Sequence, residues 1–212
     1  PVRFDERMLV PFPVESSLSG VGRDLTPADR LWYRRTFTVP QAPAGHGWRL
    51  HFGAVDWRAE VWLDGRALGH HEGGYEPFSF DAGRLGGEHE LVVAVWDPSD
   101  DGPQPRGKQA RHASWPLRSI FYTPVSGIWQ TVWLELLPDT HLAALRLTPD
   151  GDSLEISARL ARACGGERLR VVVRRDGLAV AESVTDSRDT PLRLALPGAR
   201  RWSPADPFLY DL

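Results

Sequence analysis

The sequence predicts an all-β chain built from two sandwiches, and three observations carry that prediction. Apolar and polar residues alternate with a period of two in one segment after another, the mark of half-buried strands. Asp-Gly pairs, at Asp64-Gly65 and Asp176-Gly177, separate alternating runs and read as hairpin turns. No segment carries three turns of a convincing amphipathic helix. The length of 212 residues suits two domains of about 100 residues each.

The elements follow in chain order. Leu31–Val39 (LWYRRTFTV) is rich in aromatic and β-branched residues and stops at Pro40, so it reads as a strand. Trp48, Leu50 and Phe52 alternate with Arg49 and His51, and Ala59, Val61 and Leu63 share one face of the next strand. Leu91–Trp96 (LVVAVW) is apolar on both faces and reads as a central, covered strand. Trp129–Leu137 reads as another. Between these two, Asp97–Gly127 is rich in proline and has no periodicity. A loop of that length inside a compact domain is usually functional or disordered. Pro138-Asp139 reads as a domain boundary, giving domains 1–138 and 139–212. Beyond it, His141–Leu147 reads as a strand ended by Pro149. Leu154, Ile156, Ala158 and Leu160 mark a second. Leu169–Arg174 and Leu178–Val184 flank Asp176-Gly177, and Leu192, Leu194 and Leu196 mark a last strand.

Composition excludes several classes of function. Residues 1–138 hold 14 Lys+Arg against 17 Asp+Glu, and residues 139–212 hold 11 against 11. Neither part has the basic excess that a nucleic acid backbone demands. No stretch approaches the roughly 18 apolar residues of a membrane helix. The single cysteine, Cys164, allows no intrachain disulfide and no Cys/His zinc cluster. No basic segment followed by an apolar run opens the chain, which leans the reading towards the cytoplasm. Nine tryptophans are present, eight of them before residue 138. They fit an aromatic core, or rings turned towards a sugar or a partner domain.

The search for chemistry is largely negative. There is no Gly-rich phosphate loop, no G-x-S-x-G and no H-E-x-x-H. His70 and His71 are strand neighbours, which point to opposite faces and do not share a metal. Cys164 sits in Ala163-Cys164-Gly165-Gly166, a turn composition, with no evident base beside it. Asp97, Asp100 and Asp101 cluster next to Pro98 and Gly102, where turn formation accounts for them better than a metal or sugar contact does. No catalytic residue, metal ligand or cofactor is assigned.

Several stretches, spread along the chain, carry a family resemblance. Ile120–Glu135 (IFYTPVSGIWQTVWLE), preceded by Pro105–Gln109 (PRGKQ), resembles the end of the N-terminal sugar-binding domain of glycoside hydrolase family 2. That family includes β-galactosidases, β-glucuronidases and β-mannosidases. Pro11–Gly20 and Leu31–Phe37 resemble its opening segments. Ala54–Gly69 resembles its strand, Asp-Gly, strand unit. Trp202–Tyr210 is similar to a late segment of its immunoglobulin-like second domain.

The resemblance implies a jelly-roll domain followed by an immunoglobulin-like domain. In the family these precede a (β/α)₈ barrel whose two glutamates do the chemistry. It therefore implies a non-catalytic N-terminal piece, with a second sandwich short of strands and an open edge that invites pairing with another copy. The implied partner is a β-linked sugar, held with the help of the long loop. Candidate substrate contacts there are Lys108, Gln109, Trp115, Phe121 and Tyr122, with Arg106 and Asp97 behind them. Lys108 is the only lysine beside 24 arginines, and a compact ammonium is not equivalent to a planar fork. Phe121 stands six residues before Gly127, where better-known branches of the family place an acidic contact. Two other readings remain open: a free-standing carbohydrate-binding module, and a structural two-sandwich protein.

Overall fold

The computed structural model describes residues 4–111, 120–162, 165–186 and 191–212. Two compact units divide the chain, Pro1–Leu137 and Pro138–Leu212. Both are built of strands. The helical content of the described residues is one 3₁₀ turn, Ser17–Ser19, capped by the Ser16 side chain.

The first unit opens with β1 (Leu31–Val39), β2 (His46–Phe52), β3 (Val55–Asp56) and β4 (Arg58–Leu63). It continues with β5 (Arg66–Glu72), β6 (Phe78–Gly83), β7 (Gly87–Trp96), β8 (Gly127–Ile128) and β9 (Val132–Pro138). One sheet has the order β1-β7-β4-β5 and a second has the order β6-β2-β9, while β3 and β8 form a separate short ladder. The Asp64-Gly65 turn between β4 and β5 has φ of 51° and 75°, the left-handed pair that a type I′ hairpin requires. β7 lies between β1 and β4, as its two apolar faces predict. Its Leu91, Val93 and Val95 meet Leu50 and Phe52 of β2 and Val61 and Leu63 of β4 in one core. Both sheets feed that core, so the unit is a β-sandwich.

Alternation sorts the tryptophans. Trp48 packs against the core. Trp32 of β1 and Trp62 of β4 face outward on either side of β7 and stack at 5.8 Å. Trp96 donates its indole N–H to the Pro27 carbonyl under the Arg30 guanidinium.

In the second unit, β10 (Leu142–Asp150), β11 (Ser153–Leu160) and β14 (Leu192–Ala195) form one sheet, and β12 (Leu169–Arg175) and β13 (Leu178–Thr185) form another. Ile156, Val171, Val173 and Leu194 come from both sheets and close the core. Asp176-Gly177 turns with φ of 52° and 79°. Among the described strands β10 pairs only with β11.

The structure differs from the sequence reading in a few places. β9 begins at Val132 rather than Trp129, because the Trp129 indole leaves the strand to donate to the Gly74 carbonyl at 2.8 Å. Pro149 does not end β10, which runs on to Asp150. It is an edge strand, where a missing N–H is tolerated. Strands β3, β6 and β8 are not read from the sequence as separate elements; β3 and β8 are only two residues long. β5 is the second arm expected of the Asp64-Gly65 hairpin and pairs with β4. Cys164 lies outside the described residues.

Candidate functional site

The site grows from the two-residue ladder. Asp56 of β3 stands opposite Gly127 of β8, and Val55 opposite Ile128. This pairing brings the Ser126-Gly127-Ile128 run against the Asp56 carboxylate and the end of β7. Gly127 has φ of 81°, and a Cβ there would run into the Tyr33 hydroxyl and the Leu31 side chain. Tyr33 uses that hydroxyl to accept the Ile128 N–H at 3.3 Å. Only glycine fits such a position without strain.

Three carboxyl groups converge here. Asp97, directly after β7, accepts the Ser99 N–H at 2.6 Å and the Ser126 hydroxyl at 2.5 Å. Glu15, from the segment before β1, accepts the Ser126 N–H at 3.0 Å. Asp56 is only 4% exposed and packs against Gly74, where a Cβ would come within 2.5 Å of a carboxylate oxygen. Burial pushes all three carboxyls above their ordinary range. Asp56 is raised to about 7 by burial first and by the Asp97 charge second, against a lowering hydrogen bond from Gln109. Among the described residues no set of three His, Cys, Asp or Glu side chains is arranged to hold a metal ion.

Above this cluster lies the loop between β7 and β8. Gln109 holds it down. Its side-chain amide donates to the Tyr75 hydroxyl at 3.0 Å, and its side-chain oxygen accepts the Val125 N–H at 2.6 Å. Gln109 and Tyr122 also form a parallel bridge. Tyr122 donates its N–H to the Lys108 carbonyl at 2.9 Å, and Ala110 donates to the Tyr122 carbonyl at 3.1 Å. Arg111 pins the far end, reaching Asp100 at 2.9 Å and the Leu25 carbonyl at 3.2 Å.

The sequence candidates are therefore divided between two levels. Lys108, Gln109 and Tyr122 are brought together, with Tyr122 69% exposed and Lys108 exposed beside it. Arg106 is exposed in the same loop, and its carbonyl accepts the Gln109 N–H at 3.3 Å. Phe121 is half-buried. Asp97 lies beneath, 5% exposed, with its carboxylate engaged by Ser99 and Ser126. Trp115 lies outside the described residues. Sequence reasoning missed Glu15, Asp56, Tyr75 and Ser126 as members of this cluster. Asp56 and Glu15 gave no local signal, because only the β3–β8 ladder and the folded N-terminal segment bring them in.

Comparison with known proteins now adds to this geometry. Residues 11–137 match the family model for the sugar binding domain of glycosyl hydrolases family 2. The chain belongs to that family. Over 196 residues it is 29% identical to a β-galactosidase of Thermoanaerobacter pseudethanolicus, covering 85% of this chain and 25% of the relative. It is 25% identical to a β-glucuronidase of Paenibacillus borealis, covering 96% of this chain and 36% of the relative. A solved β-glucuronidase from Faecalibacterium prausnitzii shares the fold, with a TM-score of 0.71 at 23% identity, over 96% of this chain and 38% of that one. The family 2 chain thus spans between a quarter and two fifths of the length of these proteins. Its match takes in the whole first sandwich, including the loop that carries Lys108, Gln109 and Tyr122.

Proposed function

We propose that this chain is a non-catalytic part of a family 2 β-glycosidase, and that its Asp97–Gly127 loop forms one wall of the sugar pocket. The observation that carries the reading is the Gln109 clamp. It fixes a surface loop at Tyr75 and Val125, and beside the clamp Lys108 and Tyr122 stand exposed on paired backbone. A clamped loop loses little entropy when a sugar arrives, which is what a positioning wall requires.

The chemistry belongs elsewhere. A retaining glycosidase needs two carboxyl groups about 5–5.5 Å apart on either side of the scissile bond. Asp56 and Asp97 are 4% and 5% exposed, with Asp56 packed against Gly74 and Asp97 engaged by Ser99 and Ser126, so neither is presented to a glycosidic bond. The substrate class is a β-linked glycoside. Lys108 suits a hydroxyl or carboxylate of the sugar, Tyr122 a pyranose face, and Phe121 a hydrophobic wall where other branches carry an acid. Arg106 sits in the second rank, and Asp97 acts from below by holding Ser126.

The test is a comparison of two proteins on nitrophenyl β-galactoside, β-glucuronide and β-mannoside. One is the 212-residue chain, and the other is the product of the complete reading frame that contains it. Hydrolysis by the second alone supports the reading. Turnover by the 212-residue chain itself contradicts it.

A further inference from the structure

The outer face of the β6-β2-β9 sheet carries an arrangement that the loop does not use. Strand alternation turns Arg49 and His51 of β2 outward, since Leu50 and Phe52 fill the core. Their partners across β6 are Asp81 and Ser79. On the edge strand β9, Val132 and Leu134 pack inward, so Trp133 and Glu135 face the same way as His51. His51 lies flat on Trp133, with ring centroids 4.8 Å apart and planes 5° from parallel. The far nitrogen of His51 approaches a Glu135 carboxylate oxygen at 3.0 Å. The indole is thus backed on one side by the His51 ring, and it remains 43% exposed.

We infer that Trp133, backed by His51, is a stacking platform for a neutral β-linked oligosaccharide. An all-equatorial pyranose presents a flat apolar face of axial C–H groups and a rim of hydroxyls. The indole matches the face, and Arg49, Ser79, Asp81 and Glu135 offer donors and acceptors to the rim. The alternatives fit less well. A protein interface core is depleted of charge, whereas this single ring is surrounded by charged side chains. Asp81 and Glu135 repel a phosphate backbone. Because His51 already stacks on the ring in the free protein, little ordering remains to be done on binding.

The experiment is a titration of the 212-residue chain with cellotetraose, followed through the indole N–H resonances and assigned with Trp133→Phe. Saturable movement of the Trp133 resonance is expected, with affinity in the millimolar range typical of one exposed ring. Trp133→Ala should weaken binding at least tenfold, and His51→Ala by a smaller factor, with the core melting transition retained in both. Trp32→Phe, an exposed indole on the other sheet, should leave the titration unchanged, which ties binding to Trp133 rather than to any exposed ring. No saturable movement of the Trp133 resonance overturns the inference, as does equal binding by Trp133→Ala.

Discussion

Ser126 gives its hydroxyl to Asp97 at 2.5 Å and its backbone N–H to Glu15 at 3.0 Å, so one small residue donates to two acids of the cluster. Ser126→Ala removes the hydroxyl and leaves an Asp97 oxygen in a dry site without its donor. An orphaned buried acceptor costs about 1–3 kcal/mol, so Tm should fall by about 5 °C or more. Calorimetry of the variant checks this. An unchanged Tm would mean that water replaces the serine.

The same cluster predicts a pH dependence. Asp56 is raised from 3.8 to about 7 in the folded protein, and Glu15 and Asp97 are raised as well. A carboxyl with a raised folded pKa binds its proton more tightly when folded. Its effect on stability is nil below about pH 4, turns progressively unfavourable up to about pH 7, and stays unfavourable above. Each tenfold change in proton affinity is worth about 1.4 kcal/mol, so Asp56 alone opposes folding by a few kcal/mol at pH 8. Asp56→Asn should raise Tm at pH 8 and flatten the fall between pH 4 and 7. A variant less stable than the parent at pH 8 would show that the charged form is favourably held.

Gly127 is tested by Gly127→Ala. The φ of 81° disfavours any side chain, and the new methyl meets the Tyr33 hydroxyl that caps Ile128. The variant should lose more than about 2 kcal/mol in urea unfolding. A loss within a few tenths would show that the ladder shifts freely.

Gln109→Ala should loosen the loop without melting the sandwich. Val125 loses its side-chain acceptor and Tyr75 loses its donor. Hydrogen exchange at residues 106–111 and 122–125 should quicken at least tenfold, while the β7 amides stay protected. Equal exchange in parent and variant would place the restraint elsewhere, for example at Arg111.

The fold was legible where one strong local signal acted alone. Asp64-Gly65 and Asp176-Gly177 name their own turns, and the doubly apolar run in β7 announces a central strand. The site was legible in part. Lys108, Gln109 and Tyr122 sit in stretches that carry the family resemblance, and the backbone does bring them together. Asp56 was not legible, because its burial depends on a partner 71 residues away, at Gly127. Glu15 was not legible for the same reason, since an acid among turn residues gives no hint that it will be covered. Asp97 was read as a turn former. It does accept the Ser99 N–H two residues on, but the Ser126 contact that gives it a second task is long-range.

The central claim is that the clamped loop forms a wall of the sugar pocket. Its most direct measurement is the steady-state kinetics of Lys108→Ala and Tyr122→Ala in the product of the complete reading frame, on the nitrophenyl glycoside it cleaves best. Both side chains are exposed, so neither change should lower Tm appreciably. The account predicts a fall in kcat/KM of about tenfold or more for each, a loss of roughly 1.4 kcal/mol of transition-state stabilisation. Unchanged kcat/KM in both variants would contradict it and remove the loop from the pocket.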